Sequence, residues 1–295
     1  MLKGDVRVLI DLRATVSECP LWDGAKRRLH LVDIYGGAIL THDWASGHTG
    51  SLAVGEPVGS IGLARDGRLV AGLQSSVALI DLETGARQSL ATIAHARPDS
   101  RLNDGRVDPA GRFWVGSMRE ALDEPVGALY RVDPDGNVLK HADGIVCSNG
   151  LAWSPDGRTM YHADSRLGTV WRYDYDVATG AATNRRVFCI APEGEGRPDG
   201  AAVDAEGCYW IARYAGWRLA RHSPDGREIF TLPMPVANPT MCAFAGDDLS
   251  TLVITSARGS LTDDQLRDQP HAGSVFAVDV WVRGLPEPRF GRLDV

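Results

Sequence analysis

The stretch GRFWVGS, at residues 111–117, decides the fold of this 295-residue chain because it recurs along the sequence. A turn glycine followed by a short β-rich run appears four times, as GRLVAGL at 67–73, GRFWVGS at 111–117, GRTMYHA at 157–163 and GCYWIAR at 207–213. Successive glycines are 44, 46 and 50 residues apart. Two degenerate copies extend the series to six units, KRRLHL at 26–31 and LSTLVI at 249–254. A period of about 40–50 residues with several short strands per unit is typical of a β-propeller.

The turns that separate these runs have one chemistry. DPAG at 108–111 and SPDG at 154–157 each place Pro before a Gly, so that Pro presets φ and Gly supplies the left-handed position of a tight turn. No long segment keeps a period of 3.6, so few helices are expected. We predict an all-β, six-bladed β-propeller, one domain over residues 1–295, whose last blade is completed by the N-terminal run 6–10. A β-sandwich that reuses similar hairpins is the alternative.

The composition limits the kinds of molecule that the protein is expected to bind. The hydrophobic fraction of 44% is ample for a core, and the formal net charge of −7 disfavours nucleic acid and anionic membrane surfaces. No stretch approaches the roughly 20 apolar residues of a membrane helix, and the N-terminus lacks the apolar centre of a signal peptide. The five cysteines form no C-x-x-C pair and are expected to be reduced thiols. We expect a cytoplasmic protein with no obligatory protein partner.

One position in each unit stands out when the six units are aligned on their turns. Eight residues before each of the four clear turn glycines, and at the matching place in the two degenerate units, the residues are Glu18, Gly59, Asn103, Asn149, Asp199 and Thr240. The innermost strand of each propeller blade lines the central axis, so equivalent positions form a ring around the mouth of the channel. Two carboxylates therefore converge on this axis.

Converging carboxylates repel one another, and burial adds to that cost unless a cation balances them. We therefore predict one divalent metal in the central channel. Oxygen donors suit calcium first, with magnesium, manganese, zinc or iron as alternatives. The eight histidines show no metal-binding spacing. The competing interpretation is that Asn149 and Asp199 only cap turns through backbone hydrogen bonds.

Four segments surround the ring positions: SECP at 17–20, RLNDG at 101–105, SNGLAWSPDG at 148–157 and RPDG at 197–200. In order, they resemble the G-E-G/S-P, R-x-N-D-G, S-N-G-L-x-[WF]-S-P-D-G and x-P-D-G motifs of the gluconolactonase–regucalcin (senescence-marker protein) lactonase family. The likeness covers essentially the whole chain. The tail segments TSARGSL at 255–261 and QPHAG at 269–273 are similar to the bacterial aldonolactonase branch.

The resemblance implies roles for individual residues. It makes Glu18, Asn149 and Asp199 the metal ligands, and Arg101, Asn103 and Glu120 the substrate-binding residues. Two departures from the family pattern accompany this assignment. Arg119 stands beside Glu120 in place of the usual small residue, and Cys19 replaces a Gly or Ser.

The predicted activity is metal-dependent hydrolysis of a sugar (aldono) lactone in cytoplasmic sugar oxidation. No G-x-S-x-G nucleophile motif is present, so metal assistance is the economical route, with Asp199 as the catalytic base. The alternatives are an esterase or phosphotriesterase that uses the same metal, a calcium-binding propeller without turnover, and a propeller that binds a protein or peptide. Tyr214 and Trp217 are further candidates for the sugar pocket.

Overall fold

The computed structural model describes residue 2 and residues 4–292. Six four-stranded antiparallel sheets, called blades I to VI here, follow one another around a ring. The first strand, β1 (Arg7–Ile10), pairs with the last strand of the chain, so the N-terminus completes blade VI. The predicted six-bladed propeller is confirmed, and so is its closure by the run 6–10.

Each of blades I to V runs from an inner strand to an outer strand in chain order. Blade I contains β2 (Ser17–Asp23), β3 (Arg28–Asp33), β4 (Ala38–Asp43) and β5 (Thr49–Ala53). Blade II contains β6 (Ser60–Leu63), β7 (Leu69–Gly72), β8 (Ser76–Ile80) and β9 (Arg87–Thr92). Blade III contains β10 (Ser100–Val107), β11 (Phe113–Arg119), β12 (Gly127–Val132) and β13 (Val138–Ile145).

The second half of the ring repeats this plan. Blade IV contains β14 (Ser148–Trp153), β15 (Thr159–Asp164), β16 (Thr169–Asp176) and β17 (Ala181–Ile190). Blade V contains β18 (Arg197–Val203), β19 (Tyr209–Tyr214), β20 (Arg218–His222) and β21 (Glu228–Pro233). Blade VI contains β22 (Pro239–Ala245), β23 (Thr251–Ser256), β24 (Val275–Asp279) and β1. The helix α1 (Asp263–Asp268) lies between β23 and β24, and among the described residues no helix is long and apolar enough to span a membrane.

The recurring glycines perform the predicted task in the turns between the inner and second strands. In blade III the amide of Gly111 donates to the carbonyl oxygen of Asp108 at 3.0 Å, and Gly111 has φ of 87°. Gly67, Gly157 and Gly207 make the same hydrogen bond and also have positive φ. A side chain at these positions would be strained, which is why glycine marks the repeat.

The core lies between neighbouring blades, where the inner and middle strands pack face to face. Trp114 and Trp210 are fully buried, and Trp153 is 7% exposed, as expected for residues that pack between blades. Burying one such large apolar side chain contributes about 1.5–3 kcal/mol relative to leaving it exposed. Outer strands such as β17 carry far more exposed residues. This gradient fixes the inner strands rigidly around the axis.

The inner strands carry an irregularity at the ring positions. In β2, β10, β14, β18 and β22 the pairing with the second strand shifts at or next to that position. Such bulges bend a strand locally and re-aim its side chains. The bulges therefore place the side chains of five blades toward the mouth of the channel.

Candidate active site and metal centre

A cavity of about 300 Å³ opens at the ring positions, at the start of the inner strands. Blade I contributes Glu18, blade III Asn103, blade IV Asn149, blade V Asp199 and blade VI Thr240. The ring predicted from the spacing of the repeats thus lines one cavity in the structure. At the opposite end of the channel, the C-terminal segment 284–291 runs along the turns of the inner strands.

Blade II is the exception in this ring. Gly59 lies just before β6, and a Cβ built on it would stand 2.5 Å from the carbonyl oxygen of Leu102 and 2.7 Å from that of Asn103. The backbone of blade III therefore occupies the place of a side chain here. In blade VI the hydroxyl of Thr240 donates to the carbonyl oxygen of Ser17 at 2.7 Å, which joins the last blade to the first.

Two carboxylates, Glu18 and Asp199, line the cavity without an ion pair among the described residues. Glu18 is 8% exposed and accepts a hydrogen bond from the amide of Cys19. Burial, and then the negative charges of Asp199 and Asp104, raise the pKa of Glu18 well above its usual range. Burial and the charge of Asp104 likewise raise the pKa of Asp199. A bound cation would remove the cost of ionising this pair.

The backbone at Glu18 has the shape that glycine adopts at Asn149. Gly150 follows Asn149 with φ of 67°, and Cys19 follows Glu18 with φ of 50°. Cysteine rarely takes this left-handed conformation. The Sγ atom of Cys19 lies 3.2 Å from the amide nitrogen and 3.4 Å from the carbonyl oxygen of Ile61. These contacts with blade II help to stabilise the left-handed backbone conformation of Cys19.

Hydrogen bonds fix the orientation of the two asparagines. Asn149 donates from Nδ2 to the hydroxyl of Ser165 at 2.8 Å, which leaves its Oδ1 for the cavity side. Asn103 donates from Nδ2 to the carbonyl oxygen of Ser148 at 2.9 Å and to Oδ1 of Asn149 at 3.1 Å. The Oδ1 atom of Asn103 accepts from Arg101 at 2.6 Å. Asn149 is therefore better placed than Asn103 to offer an oxygen to a cation.

The guanidinium of Arg101 stands in the cavity wall beside Glu120. Arg101 is 5% exposed and donates from Nε to Oε1 of Glu120 at 2.7 Å. Tyr35 donates from its hydroxyl to Oε2 of the same carboxylate at 2.7 Å, and its ring centre lies 5.6 Å from the Arg101 guanidinium carbon. The predicted substrate-binding residues Arg101 and Glu120 thus share one rigid group with Tyr35. They form a polar wall that can bind sugar hydroxyls.

Sequence reasoning missed several residues of the cavity. Tyr35 reaches it from the turn between β3 and β4, and Arg166 from the turn between β15 and β16. Arg197 opens β18, two residues before Asp199, and its only sequence signal is its place in the RPDG segment. Of the two aromatic candidates, Tyr214 lines the cavity, whereas Trp217 is 46% exposed and lies outside the set of lining residues.

The cavity also contains a thiol that sequence reasoning treated only as reduced. Burial, and then the charge of Asp199, raise the pKa of Cys147 to about 12. The Cys147 thiol therefore stays protonated near neutral pH and is a poor nucleophile.

These residues fit a divalent cation. Two carboxylates and an amide oxygen from three different blades meet in one cavity. Neither carboxylate forms an ion pair among the described residues, and the charge of Arg101 lowers their pKa less than burial raises it. Hard and borderline cations accept such oxygen donors. Fold and cavity together define a class of proteins, the six-bladed propellers with an acidic pocket at one end of the central channel.

Comparison with known proteins identifies the family. Residues 16–258 match the family described as SMP-30/Gluconolactonase/LRE-like region, and the chain belongs to it. It is 39% identical over 277 residues to a 6-deoxy-6-sulfogluconolactonase from Pseudomonas putida, covering 94% of this chain and 95% of that protein. It is 37% identical over 281 residues to regucalcin from Gallus gallus, covering 93% and 94%. The resemblance inferred from the four sequence motifs is confirmed.

A solved structure agrees over nearly the whole length. A crystal structure described as a calcium-binding protein, regucalcin, from Agrobacterium tumefaciens superposes with a TM-score of 0.93 at 30% identity. The match covers 98% of each chain. The all-β propeller architecture is therefore shared with a protein that has been solved by experiment.

Proposed function

We propose that this protein hydrolyses a sugar (aldono) lactone to the aldonic acid with the help of one divalent cation, calcium first among the candidates. The observation that carries the proposal is the meeting of Glu18, Asn149 and Asp199 in one cavity, where neither Glu18 nor Asp199 forms an ion pair among the described residues. Membership of the gluconolactonase family supports it, as does the name of the Pseudomonas putida relative.

Glu18, Asn149 and Asp199 would hold the cation. When bound, the cation supplies positive charge that stabilises the lactone carbonyl oxygen as negative charge develops there. Asp199 accepts a proton from the water that attacks the carbonyl carbon. As the bond between that carbon and the ring oxygen breaks, Asp199 returns the proton to the leaving oxygen.

The other polar residues bind and orient the sugar. Arg101 and Glu120 hold hydroxyl groups, and their mutual hydrogen bond fixes the geometry of both. Asn103 positions Asn149 and Arg101 through its two hydrogen bonds to them. A wall so rich in hydroxyl-binding groups favours a polyol lactone over an aryl ester or a phosphotriester.

The test is a pH-indicator hydrolysis assay of metal-stripped protein on a panel of aldonolactones, with Ca²⁺, Mg²⁺, Mn²⁺, Zn²⁺ and Fe²⁺ added back singly. The expected result is turnover of at least one lactone that depends on an added cation. The proposal would be overturned if folded protein hydrolyses none of the lactones with any of the cations. Turnover of aryl esters alone would then favour the esterase, and calcium binding alone a propeller without turnover.

The cytoplasmic location and the role in sugar oxidation expected from the sequence remain part of this proposal. Cell fractionation with detection of the native protein tests the location. Growth of a deletion strain on single sugars, with measurement of accumulated lactone, tests the role. Normal lactone clearance on every sugar would remove the role in sugar oxidation.

A further inference from the structure

Two arginines of the cavity, Arg166 and Arg197, form no ion pair with any acid in the part of the chain that the structure describes. Both side chains are exposed and line the cavity. Over residue 2 and residues 4–292, neither guanidinium forms an ion pair or a side-chain hydrogen bond. By contrast, Arg101 in the same cavity is bound to Glu120. Two unpaired cations at one ligand-sized cavity indicate a binding partner that is not part of the protein.

The structure holds these two arginines on the same side of the cavity. Ser165 donates from its hydroxyl to the carbonyl oxygen of Pro198 at 2.6 Å, which ties the loop of blade IV to the start of blade V. Arg166 directly follows Ser165, and Arg197 directly precedes Pro198. Their side chains therefore start from two backbone positions that this hydrogen bond holds together.

This arginine pair also adjoins the candidate metal ligands. Ser165 is the residue that accepts the hydrogen bond from Asn149, and Asp199 lies two residues beyond Arg197. Around the ring, blade IV lies across from blade I, which contributes Tyr35, and blade V is the neighbour of blade IV. Glu18 and Asn149 are buried, whereas both arginines are exposed, so the arginines lie nearer to solvent than these ligands. A sugar with its carbonyl at the ligands can therefore extend its far end toward the two arginines.

The charges of the cavity favour an anion at that end. The lining residues include three carboxylates, Glu18, Glu120 and Asp199, and three arginines. A divalent cation offsets Glu18 and Asp199, and Arg101 offsets Glu120. The charges of Arg166 and Arg197 then remain, so the loaded cavity is positive although the whole chain carries −7. The nearby Glu195 is paired with Arg218 and lies outside the lining set.

We propose that the substrate of this site is an aldonolactone with a strongly acidic group, a sulfonate or a phosphate, on the carbon farthest from the lactone carbonyl, and that Arg166 and Arg197 bind that group. The inference rests on the proposed lactonase function. Both groups present several oxygens to the planar donors of arginine, which bind such oxygens in pairs.

The first experiment compares kcat/KM of the metal-loaded protein on three lactones that differ only at that carbon: gluconolactone, 6-phosphogluconolactone and 6-deoxy-6-sulfogluconolactone. We expect at least one acidic lactone to exceed gluconolactone by about tenfold or more, because each charge-assisted hydrogen bond contributes roughly 1–2 decades. The better acidic lactone identifies phosphate or sulfonate as the bound group. A ratio at or below one for both overturns the inference while lactonase activity stands.

Variants assign the effect to the two arginines. Arg166→Gln and Arg197→Gln should each lower kcat/KM on the acidic lactone by about tenfold, mainly through KM, and lower it much less on gluconolactone. Arg197→Lys should recover part of the loss. Arg227→Gln, on the exposed turn between β20 and β21, is the matched control and should change neither value. Equal losses on the acidic and neutral lactones would overturn the inference.

A binding measurement separates this inference from the proposed function. Calorimetric titration of metal-loaded protein with gluconate and with 6-phosphogluconate, which are lactonase products, reads affinity without turnover. Tighter binding of 6-phosphogluconate in wild type, lost in the Arg166→Gln Arg197→Gln double variant, supports the inference even if no lactone is hydrolysed. Binding no tighter than that of gluconate overturns it for phosphate. The same titration with 6-deoxy-6-sulfogluconate tests whether the two arginines bind a sulfonate.

Discussion

Asp199 and Asp204 lie five residues apart near the two ends of β18, and they differ in what surrounds them. Asp199 lines the cavity, and no side chain of the described residues donates a hydrogen bond to it. Asp204 is fully buried and accepts hydrogen bonds at both oxygens. The same residue type thus lines a cavity at one end of β18 and is held by hydrogen bonds in the turn at the other end.

The partners of Asp204 satisfy its charge completely. Its Oδ1 accepts from the amides of Glu206 and Cys208 at 3.0 Å, and its Oδ2 accepts from Trp210 Nε1 and Arg221 Nε at 2.8 Å. Blade III repeats the arrangement around Asp108. These aspartates lock the turns that follow the inner strands, and they leave no oxygen for a ligand.

Distances alone would wrongly indicate a metal site at the cluster formed by Asp204, Glu206 and Cys208. One ligand atom from each of Asp204, Glu206 and Cys208 lies within 4.8 Å of the others, close enough for a metal ion. Arg221, however, pairs with both carboxylates and already supplies the positive charge. The comparison indicates that proximity of acids does not by itself define a cation site, and that an ion pair with a protein cation argues against one.

The largest expected effect is on catalysis at Asp199. Asp199→Asn removes the base and one anionic ligand, so kcat for lactone hydrolysis should fall by about 10³-fold or more. Steady-state assays with saturating metal measure the loss, with circular dichroism to show that the fold is retained. Asp225→Asn, on an exposed turn, is the control and should keep the wild-type rate. Wild-type turnover by Asp199→Asn would remove the base assignment.

The next effect is on stability at Asp204. Asp204→Asn removes the buried one of the two acids that pair with the guanidinium of Arg221, so the free energy of unfolding should fall by about 3–5 kcal/mol. Urea denaturation followed by tryptophan fluorescence measures this change. The remaining folded protein should hydrolyse lactone at the normal rate. An Asp204→Asn variant that is as stable as wild type but inactive would contradict the structural role given to Asp204.

A smaller effect should follow metal addition. At a free concentration 100 times its Kd, a cation that binds only the folded protein raises the free energy of unfolding by about 2.7 kcal/mol. Thermal melts with and without chelator should show this gain in wild type and in Glu206→Gln, which alters the structural cluster. Asp199→Asn should lose most of it. An equal gain in Asp199→Asn would place the cation elsewhere.

The smallest effect concerns the metal-free protein. Glu18→Gln removes the buried member of two mutually repelling carboxylates, the other being the half-buried Asp199, so the stripped protein should become more stable by about 1–2 kcal/mol. Urea denaturation in chelator measures the gain. The matched variant Glu206→Gln removes a paired acid and should give no such rise. Destabilisation by Glu18→Gln would show that this carboxylate stabilises the fold without metal.

Much of the fold could be predicted because it depends on local chemistry that repeats. Gly67, Gly111, Gly157 and Gly207 each occupy a turn that requires positive φ, so one steric rule marks four of the six blades. The order of the ring positions follows from that repeat. The sequence could also predict that Glu18 and Asp199 meet, because equivalent positions of inner strands share an axis in any closed propeller.

Other features of the site had no local signal. Gly59 is a glycine because the backbone of blade III approaches it, and the amide of Asn103 is turned by Arg101 and Ser148. The bulges that aim the ring residues depend on pairing with the second strand. Apart from the contact between Arg101 and Asn103, these are contacts between segments that are distant in the chain or on separate strands.

The sequence by itself therefore determined the repeat, the closed ring and the identity of the residues on its axis, because turn sterics and strand patterning act within one unit. Only the tertiary structure decided which acids are balanced by protein cations and which are left for a ligand. It also decided that Tyr35, Arg166 and Arg197 reach the cavity from three different blades. The physical reason is that charge compensation acts through space, and its partners become neighbours only when the six blades close.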